Sequence, residues 1–467
     1  MASSKLLFIL VSVFIFFLVP IVIKNRRRYY LGLSGFVFIF STGWIFLINN
    51  NGLMLGDLSI FGLFILAIFS KKKFCWSVFP IGWPFLGICL WGIISSFFAA
   101  QQDLALIELT RYFRAYLLML CLYHHIQSID DLKVVLNFFL LGLLFESLLA
   151  IYQWKFGALG LWFLGERRFV GWRSTGTFFV PAFLANYFAL ALPVAYKVFL
   201  FYKAPKNSTT IFYGIVFVVG LVGLLTTYAR SEWVGFLTAL TALSLFSMFY
   251  RRTKIRTKSM WVLPFLVLFL LLFASRYAPT ILNQFGSTRK SAYEIRFNQF
   301  KFSQRIISKN PLFGTGLASY MNVARDYLTP EERLNPAQYI IFVHNSYLYV
   351  TAEMGIPAGI FLMLWLGSII FVGIKIIKAK IYHPLILNFA LGISGSIIAI
   401  MVVFTFTPDI HSYDLVYHLG LYSGIMMAQY KLLKIAENKK RIHSLKEQHY
   451  NNTKTDDAEY NRVVRNS

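Results

Sequence analysis

The chain has 467 residues, 57% of them hydrophobic and only 14% charged, with a mean hydropathy of +0.61. Soluble domains carry about 25% charged residues, so the composition excludes a soluble enzyme and fits a polytopic membrane protein folded as one helical bundle. The formal charge of +25 comes from 45 Lys and Arg scattered between apolar runs, which argues for positively charged inner loops and against nucleic acid as a partner.

A membrane-spanning helix needs about 20 apolar residues. In chain order the apolar runs are 6–23, 31–49, 54–70, 76–98, 108–126, 132–153, 177–200, 210–228, 232–250, 260–277, 345–373, 385–407 and 411–430. The expected fold is therefore an all-α polytopic integral membrane protein with about 12–13 transmembrane helices. The first run precedes Lys24, Arg26, Arg27 and Arg28 and has no small-residue cleavage signature, so it reads as a retained anchor with its N-terminus outside. Strict alternation from that anchor puts the basic clusters at 24–28, 71–73, 203–206, 251–258 and 375–380 inside, as the positive-inside rule requires. It leaves 99–107, 154–176, a short turn near Arg230 and 279–343 outside.

The expected organisation is N-terminal helices over 1–75, a bundle over 76–278, a long extracytoplasmic loop over 279–343, C-terminal helices over 344–435 and a disordered cytoplasmic tail over 436–467. Cys75, Cys89 and Cys121 have no metal or disulfide spacing and read as structural thiols. There is no internal repeat of the kind that marks inverted-repeat transporters.

The long outer loop carries eight basic and four acidic residues, a net +4. Within it, 294–309 lacks Gly and Pro and sets Ile295, Gln299, Phe302 and Ile306 on one face, so an amphipathic helix is expected, stopped by Asn310-Pro311. That helix suits the membrane surface, with Phe297, Phe300 and Phe302 against lipid or neighbouring spans. Arg296 then lies at the outer mouth, either as a fixed cation or as a solvated or lipid-bound one. The turn Pro311–Tyr320 holds Gly314 and Gly316, which permit close backbone approach but form no nucleotide-binding fingerprint.

His344 and Asn345 open the next span, whose interior holds Glu353. A neutral imidazole suits proton abstraction from a hydroxyl, and this general-base reading is favoured over an inert interfacial histidine. An acid at membrane depth is costly and is expected to face an interior cavity. Arg230, in the outside turn 226–236, offers planar donors matched to phosphate or simply caps its turn with Ser231 and Glu232. The loop 154–176 mixes Glu166, Arg167, Arg168 and Arg173 with Trp162 and Trp172, which suits a sugar or an interfacial aromatic belt. Arg111 and Arg114 are explained by snorkelling. No carboxylate pair suggests a glycosidase, and no cluster calls for a metal or another cofactor.

Four stretches resemble the O-antigen ligase and polymerase family of bacterial membrane glycan transferases: 173–185 (RSTGTFFVPAFLA), 226–236 (TTYARSEWVGF), Arg296 through 311–320 (PLFGTGLASY), and 344–355 (HNSYLYVTAEMG). The resemblance covers about 80–430, with a core over 210–370. The chain departs from the family pattern at Ala229 and Ala182, where Ser and Asn are common.

The resemblance implies a GT-C-like, metal-independent, inverting glycosyltransferase at the outer face of the inner membrane. Its donor would be a glycan on undecaprenyl diphosphate. Its acceptor would be a hydroxyl of lipid A core for a ligase, of a lipid-linked repeat for a polymerase, or of a protein. Carried over residue by residue, Arg230 and Arg296 would hold the diphosphate and His344 would activate the acceptor. Arg173, Asn345 and Arg111 are further substrate-binding candidates. The alternative of another class, a flippase or transporter for lipid-linked sugars, would favour charge at mid-membrane, whereas here charge gathers at the outer edge.

Overall fold

The structure, a computed structural model, describes residues 18–36, 44–48, 51–157, 173–178, 180–201, 207–249, 288–340, 342–379 and 383–465. Most of the span expected at 6–23, all of that at 260–277 and most of the loop 154–176, including Trp162, Glu166, Arg167, Arg168 and Trp172, lie outside the described residues.

The longer elements, in order, are α1 (Arg26–Phe36), β1 (Trp44–Ile48), β2 (Asn51–Met54), α2 (Leu55–Ile68), α3 (Gly82–Ser96), α4 (Gln102–His125), α5 (Ile129–Phe156), α6 (Pro181–Phe201), α7 (Asn207–Thr226), α8 (Arg230–Phe249), α9 (Thr288–Lys309), α10 (Ser346–Met354), α11 (Ile356–Lys378), α12 (Pro384–Val403) and α13 (Tyr413–Arg465). Five of them, α5, α6, α7, α11 and α12, are long and apolar enough by composition to cross a membrane. The protein is an all-α polytopic membrane protein.

α6 and α12 are buried nearly all round and form the centre of the bundle, whereas α7 and α11 keep more than half of their length at the periphery. The principal pairings are α6 with α12, α4 with α13, α8 with α12, and α1 with α5. Small residues permit these contacts: a Cβ on Gly235 of α8 would lie 2.7 Å from the Ala399 carbonyl of α12. At the basic end, Ser128 and Asp131 form a capping box at the start of α5. Asp131 also accepts from Arg27 and Arg28 at 3.0 Å, tying α1 to α5.

Three local expectations are corrected. The run 31–49 is not one span: α1 begins at Arg26, and Trp44–Ile48 pairs antiparallel with Asn51–Met54. The polar Asn-Asn connection at 49–50, followed by Asn51-Gly52, is turn chemistry that favours a hairpin. The span 345–373 breaks into α10 and α11 at Gly355, whose φ of +84° ends one helix while Pro357 starts the next. The tail, expected to be disordered, continues α13 as helix to Arg465. No Gly or Pro interrupts 425–467, and Lys434 pairs with Glu437 one turn on at 3.0 Å.

Arg114 is also not a snorkelling side chain. It forms an ion pair with Asp57 of α2 and lies 5.7 Å from the Tyr417 ring centroid.

Candidate active site

One wall of the site is built from the segment 173–178. Its backbone has no helix or sheet to satisfy it, and α5 supplies partners instead. Gln153 Oε1 accepts from the Thr175 and Gly176 amides at 3.0 and 2.8 Å, and Gln153 Nε2 donates to the Gly176 carbonyl at 3.0 Å. Ser174 donates from its hydroxyl to the Ala150 carbonyl at 2.6 Å and from its backbone to the Thr226 carbonyl at 3.1 Å. The Thr177 amide donates to Glu146 at 3.1 Å.

This clamp brings Arg173 to the α7–α8 turn, where its Nε donates to the Thr227 carbonyl at 2.9 Å. The turn is held in an unusual conformation, with Tyr228 at φ +51° immediately before Ala229 and Arg230. Burial pulls the Arg173 guanidinium below its usual pKa, the Glu232 carboxylate opposes that, and the Arg230 cation reinforces it. Arg173, Arg230 and Glu232 are therefore within electrostatic reach of one another. Glu232 is buried, with Oε2 accepting from Ser231 at 2.9 Å and Oε1 without a hydrogen-bond partner among the described residues.

The other wall is α9 and the entry to α10. α9 ends at Lys309, before Asn310-Pro311, and buries Gln299, Phe302 and Ile306 on the face the periodicity predicts. Phe297 and Phe300 are exposed, whereas Phe302 packs into the protein and not on lipid. The loop behind α9 is fastened by Arg305, which donates to both Glu332 oxygens at 2.6 and 2.9 Å.

His344 meets this wall directly, with Nδ1 lying 2.8 Å from Gln299 Oε1. Burial lowers the His344 pKa, the Arg296 cation lowers it further, and the Asp409 carboxylate opposes both.

Asp409 connects the two walls. It lies in a short turn between α12 and α13 that is stitched to the residues after His344. The Ser346 amide donates to the Phe404 carbonyl at 2.8 Å, its hydroxyl donates to the Thr407 carbonyl at 2.7 Å, and it accepts from the Ile410 amide at 3.3 Å. From α6, Asn186 Nδ2 donates to Asp409 Oδ2 at 2.7 Å, while Asn186 Oδ1 is buried without a partner among the described residues. Burial raises the Asp409 pKa, and the Asn186 and Thr407 hydrogen bonds and the nearby His411 and His344 oppose the rise. Asp409 acts electrostatically on both His344 and Glu232.

His344 thus contacts Gln299 directly and responds electrostatically to Arg296 and Asp409, Arg173 responds to Glu232 and Arg230, and Glu232 responds to Asp409. Two other predicted residues stand apart from this set. Asn345 is the N-cap of α10, accepting from the Leu348 amide at 3.0 Å. Arg111 is 1% exposed, pairs with Glu108 and donates to the His411 carbonyl, so it lies beneath the Asp409 turn. The His411 ring stacks on Phe342, with centroids 4.8 Å apart.

Glu353 is buried and bonded to its neighbours. It accepts from the Tyr349 hydroxyl at 2.9 Å and from the Tyr320 amide at 3.3 Å, so it fastens the 311–320 turn to α10. The same turn is held by Thr315 donating to the Ala352 carbonyl at 2.9 Å and Ile356 donating to the Pro311 carbonyl at 2.8 Å. Gly314 is required here, since its φ is +66° and a Cβ would strike the Glu353 backbone.

Sequence reasoning missed Asp409 and Asn186 and read Gln299 only as a buried-face residue. An available signal for Asp409 was its place in the three-residue connection between two apolar runs, at the membrane edge. Among the described residues no three His, Cys, Asp or Glu side chains gather as metal ligands.

Fold and site together define a polytopic membrane protein with a half-buried histidine, a buried aspartate within electrostatic reach of it, and arginines nearby. Residues 215–363 match the family model of the O-antigen ligases, a stretch from α7 into α11 that contains Arg230, Arg296 and His344. That match, over about a third of the chain, supports an O-antigen ligase- or polymerase-like role. No curated protein matches the chain.

Proposed function

We propose that the protein transfers a glycan from undecaprenyl diphosphate to an acceptor hydroxyl at the outer face of the inner membrane, as an O-antigen ligase-like transferase. The observation that supports this reading is the environment of His344: its ring lies 2.8 Å from Gln299, burial and Arg296 favour the neutral imidazole, and Asp409 opposes them.

In this mechanism His344 removes the acceptor proton. The hydroxyl oxygen then bonds to the anomeric carbon as the bond from that carbon to the diphosphate oxygen breaks. Attack opposite the leaving group inverts the anomeric centre. Undecaprenyl diphosphate departs with the bonding electrons, and its developing charge is met by Arg230 and Arg296, with Arg173 behind Arg230. Guanidinium groups, not a bound metal, supply the neutralising charge. The imidazolium later returns its proton to water.

The test is complementation of a host lacking the gene, read as its lipid-linked and surface polysaccharide. Loss of transfer in the deletion strain, restored by the wild type and not by His344→Ala at equal abundance, supports the reading. Full-length chains accumulating on the lipid carrier define a ligase. Single repeats attached in place of long chains define a polymerase. An unchanged profile points to a glycoprotein acceptor or to transport.

A further inference from the structure

We infer that Gln299 is a positioning residue for His344, holding the imidazole in the tautomer that leaves Nε2 as the basic atom. This inference rests on the reading of His344 as general base.

Gln299 is fully buried on the inner face of α9, one turn beyond Arg296. Its Oε1 lies 2.8 Å from His344 Nδ1. An amide oxygen only accepts, so Nδ1 carries the proton and the lone pair of the neutral ring falls on Nε2. The other end of the amide, Nε2, is buried without a hydrogen-bond partner among the described residues. Leaving a buried N–H donor unmade costs about 1–3 kcal/mol. Gln299 spends its side-chain bonding on His344.

The type of partner matters as much as the contact. A carboxylate bonded to Nδ1 would stabilise the imidazolium and raise the pKa of the base by roughly 1–3 units. At neutral pH that would store the base in its protonated form. A neutral amide fixes the ring and the tautomer without that charge. Burial and Arg296 then hold the ring neutral, while the Asp409 carboxylate acts without a hydrogen bond to the ring among the described contacts. α9 thus delivers a cation and the amide that orients the base from positions one turn apart on the same helix.

The experiment uses full-length protein in lipid nanodiscs and compares wild type, Gln299→Glu and Gln299→Met. Deuterium exchange at the imidazole C2 position, followed by mass spectrometry of the His344 peptide, gives the His344 pKa without any substrate. Transfer is followed against pH in host membrane vesicles that carry their own lipid-linked glycan and acceptor.

In Gln299→Glu, the His344 pKa and the acid limb of transfer are expected to rise together by about one unit or more. In Gln299→Met, kcat is expected to fall on the order of 10–100-fold with KM and abundance unchanged. An unmoved His344 pKa in Gln299→Glu, or wild-type transfer by Gln299→Met, overturns the inference. If His344→Ala transfers normally, the general-base reading itself has failed, which is a separate result.

Discussion

Gln153 and Gln299 are both fully buried, and they are used in opposite ways. Gln153 spends both ends of its amide on the backbone of 175–176. Gln299 bonds His344 with its oxygen and leaves its nitrogen without a partner among the described residues. The same split separates their surroundings. Around Gln153, Glu146 accepts from the Thr177 amide, and Ser174 of the held segment donates to the Ala150 carbonyl. Around His344, Glu232 and Asn186 each keep a buried oxygen without a partner among the described residues. Buried polar groups are normally satisfied, and others without a partner among the described residues lie elsewhere in the bundle, at Ser244, Asn388 and Gln429. On the proposed function, the clamp is architecture and the His344 end meets the substrate.

Substitutions can break this contrast. The largest effect is expected at Arg230, where Arg230→Ala should lower transfer by about 10²–10³-fold through loss of transition-state charge stabilisation, with abundance unchanged. A variant that keeps its rate, or loses it only by failing to accumulate, would move Arg230 to the architectural side. Gln153→Leu should do the reverse. It strands two amides and a carbonyl of 175–176, so thermal unfolding in detergent should reveal a loss on the order of 2–4 kcal/mol. The matched Gln299→Leu variant should unfold within about 1 kcal/mol of wild type, because it breaks one bond and removes one unsatisfied donor.

Gly355→Ala should cost about 1–3 kcal/mol, since φ is +84° and a Cβ would strike the Leu312 carbonyl. Equal melting temperatures would show that the α10–α11 break is not fixed by this residue. The smallest effect is expected at the half-exposed loop pair. Arg305→Ala should cost about 0.5–1 kcal/mol. The hydrogen bond from Arg305 holds the Glu332 carboxyl below its usual value of 4.5. The pair therefore contributes fully above pH 4.5 and is lost as pH falls through the lowered folded value, so the difference between wild type and variant should shrink only in acid.

Much of the fold is legible in the sequence because lipid imposes a simple code of apolar length and inside charge. The expected runs 132–153, 177–200 and 385–407 fall within a few residues of α5, α6 and α12. The Asn310-Pro311 stop of α9 and its buried face were readable from spacing alone. Breaks that depend on backbone dihedrals were less so, as at Gly355, where an apolar run masks the break.

The site was legible as residue types and not as pairs. His344, Arg230 and Arg296 stand out as ionisable groups at an outer edge. That Asp409 joins them depends on Ser346 stitching α10 to the α12–α13 turn, a contact across 64 residues that no local pattern encodes. Glu353 shows the converse limit. Its burial was predictable, but its partner is the backbone of 318–320, so a costly buried acid serves a turn.

The account depends most on His344 as the base. The direct measurement is the pH dependence of glycan transfer in host membrane vesicles carrying wild-type protein or His344→Ala at equal abundance. Wild-type transfer should hold its plateau to below pH 6.5, because burial and Arg296 lower the His344 pKa from that value, and then fall as the ring is protonated. His344→Ala should be slower by at least about 100-fold and should lose that acid limb. Transfer by His344→Ala at the wild-type rate, with the same acid limb, would contradict the account.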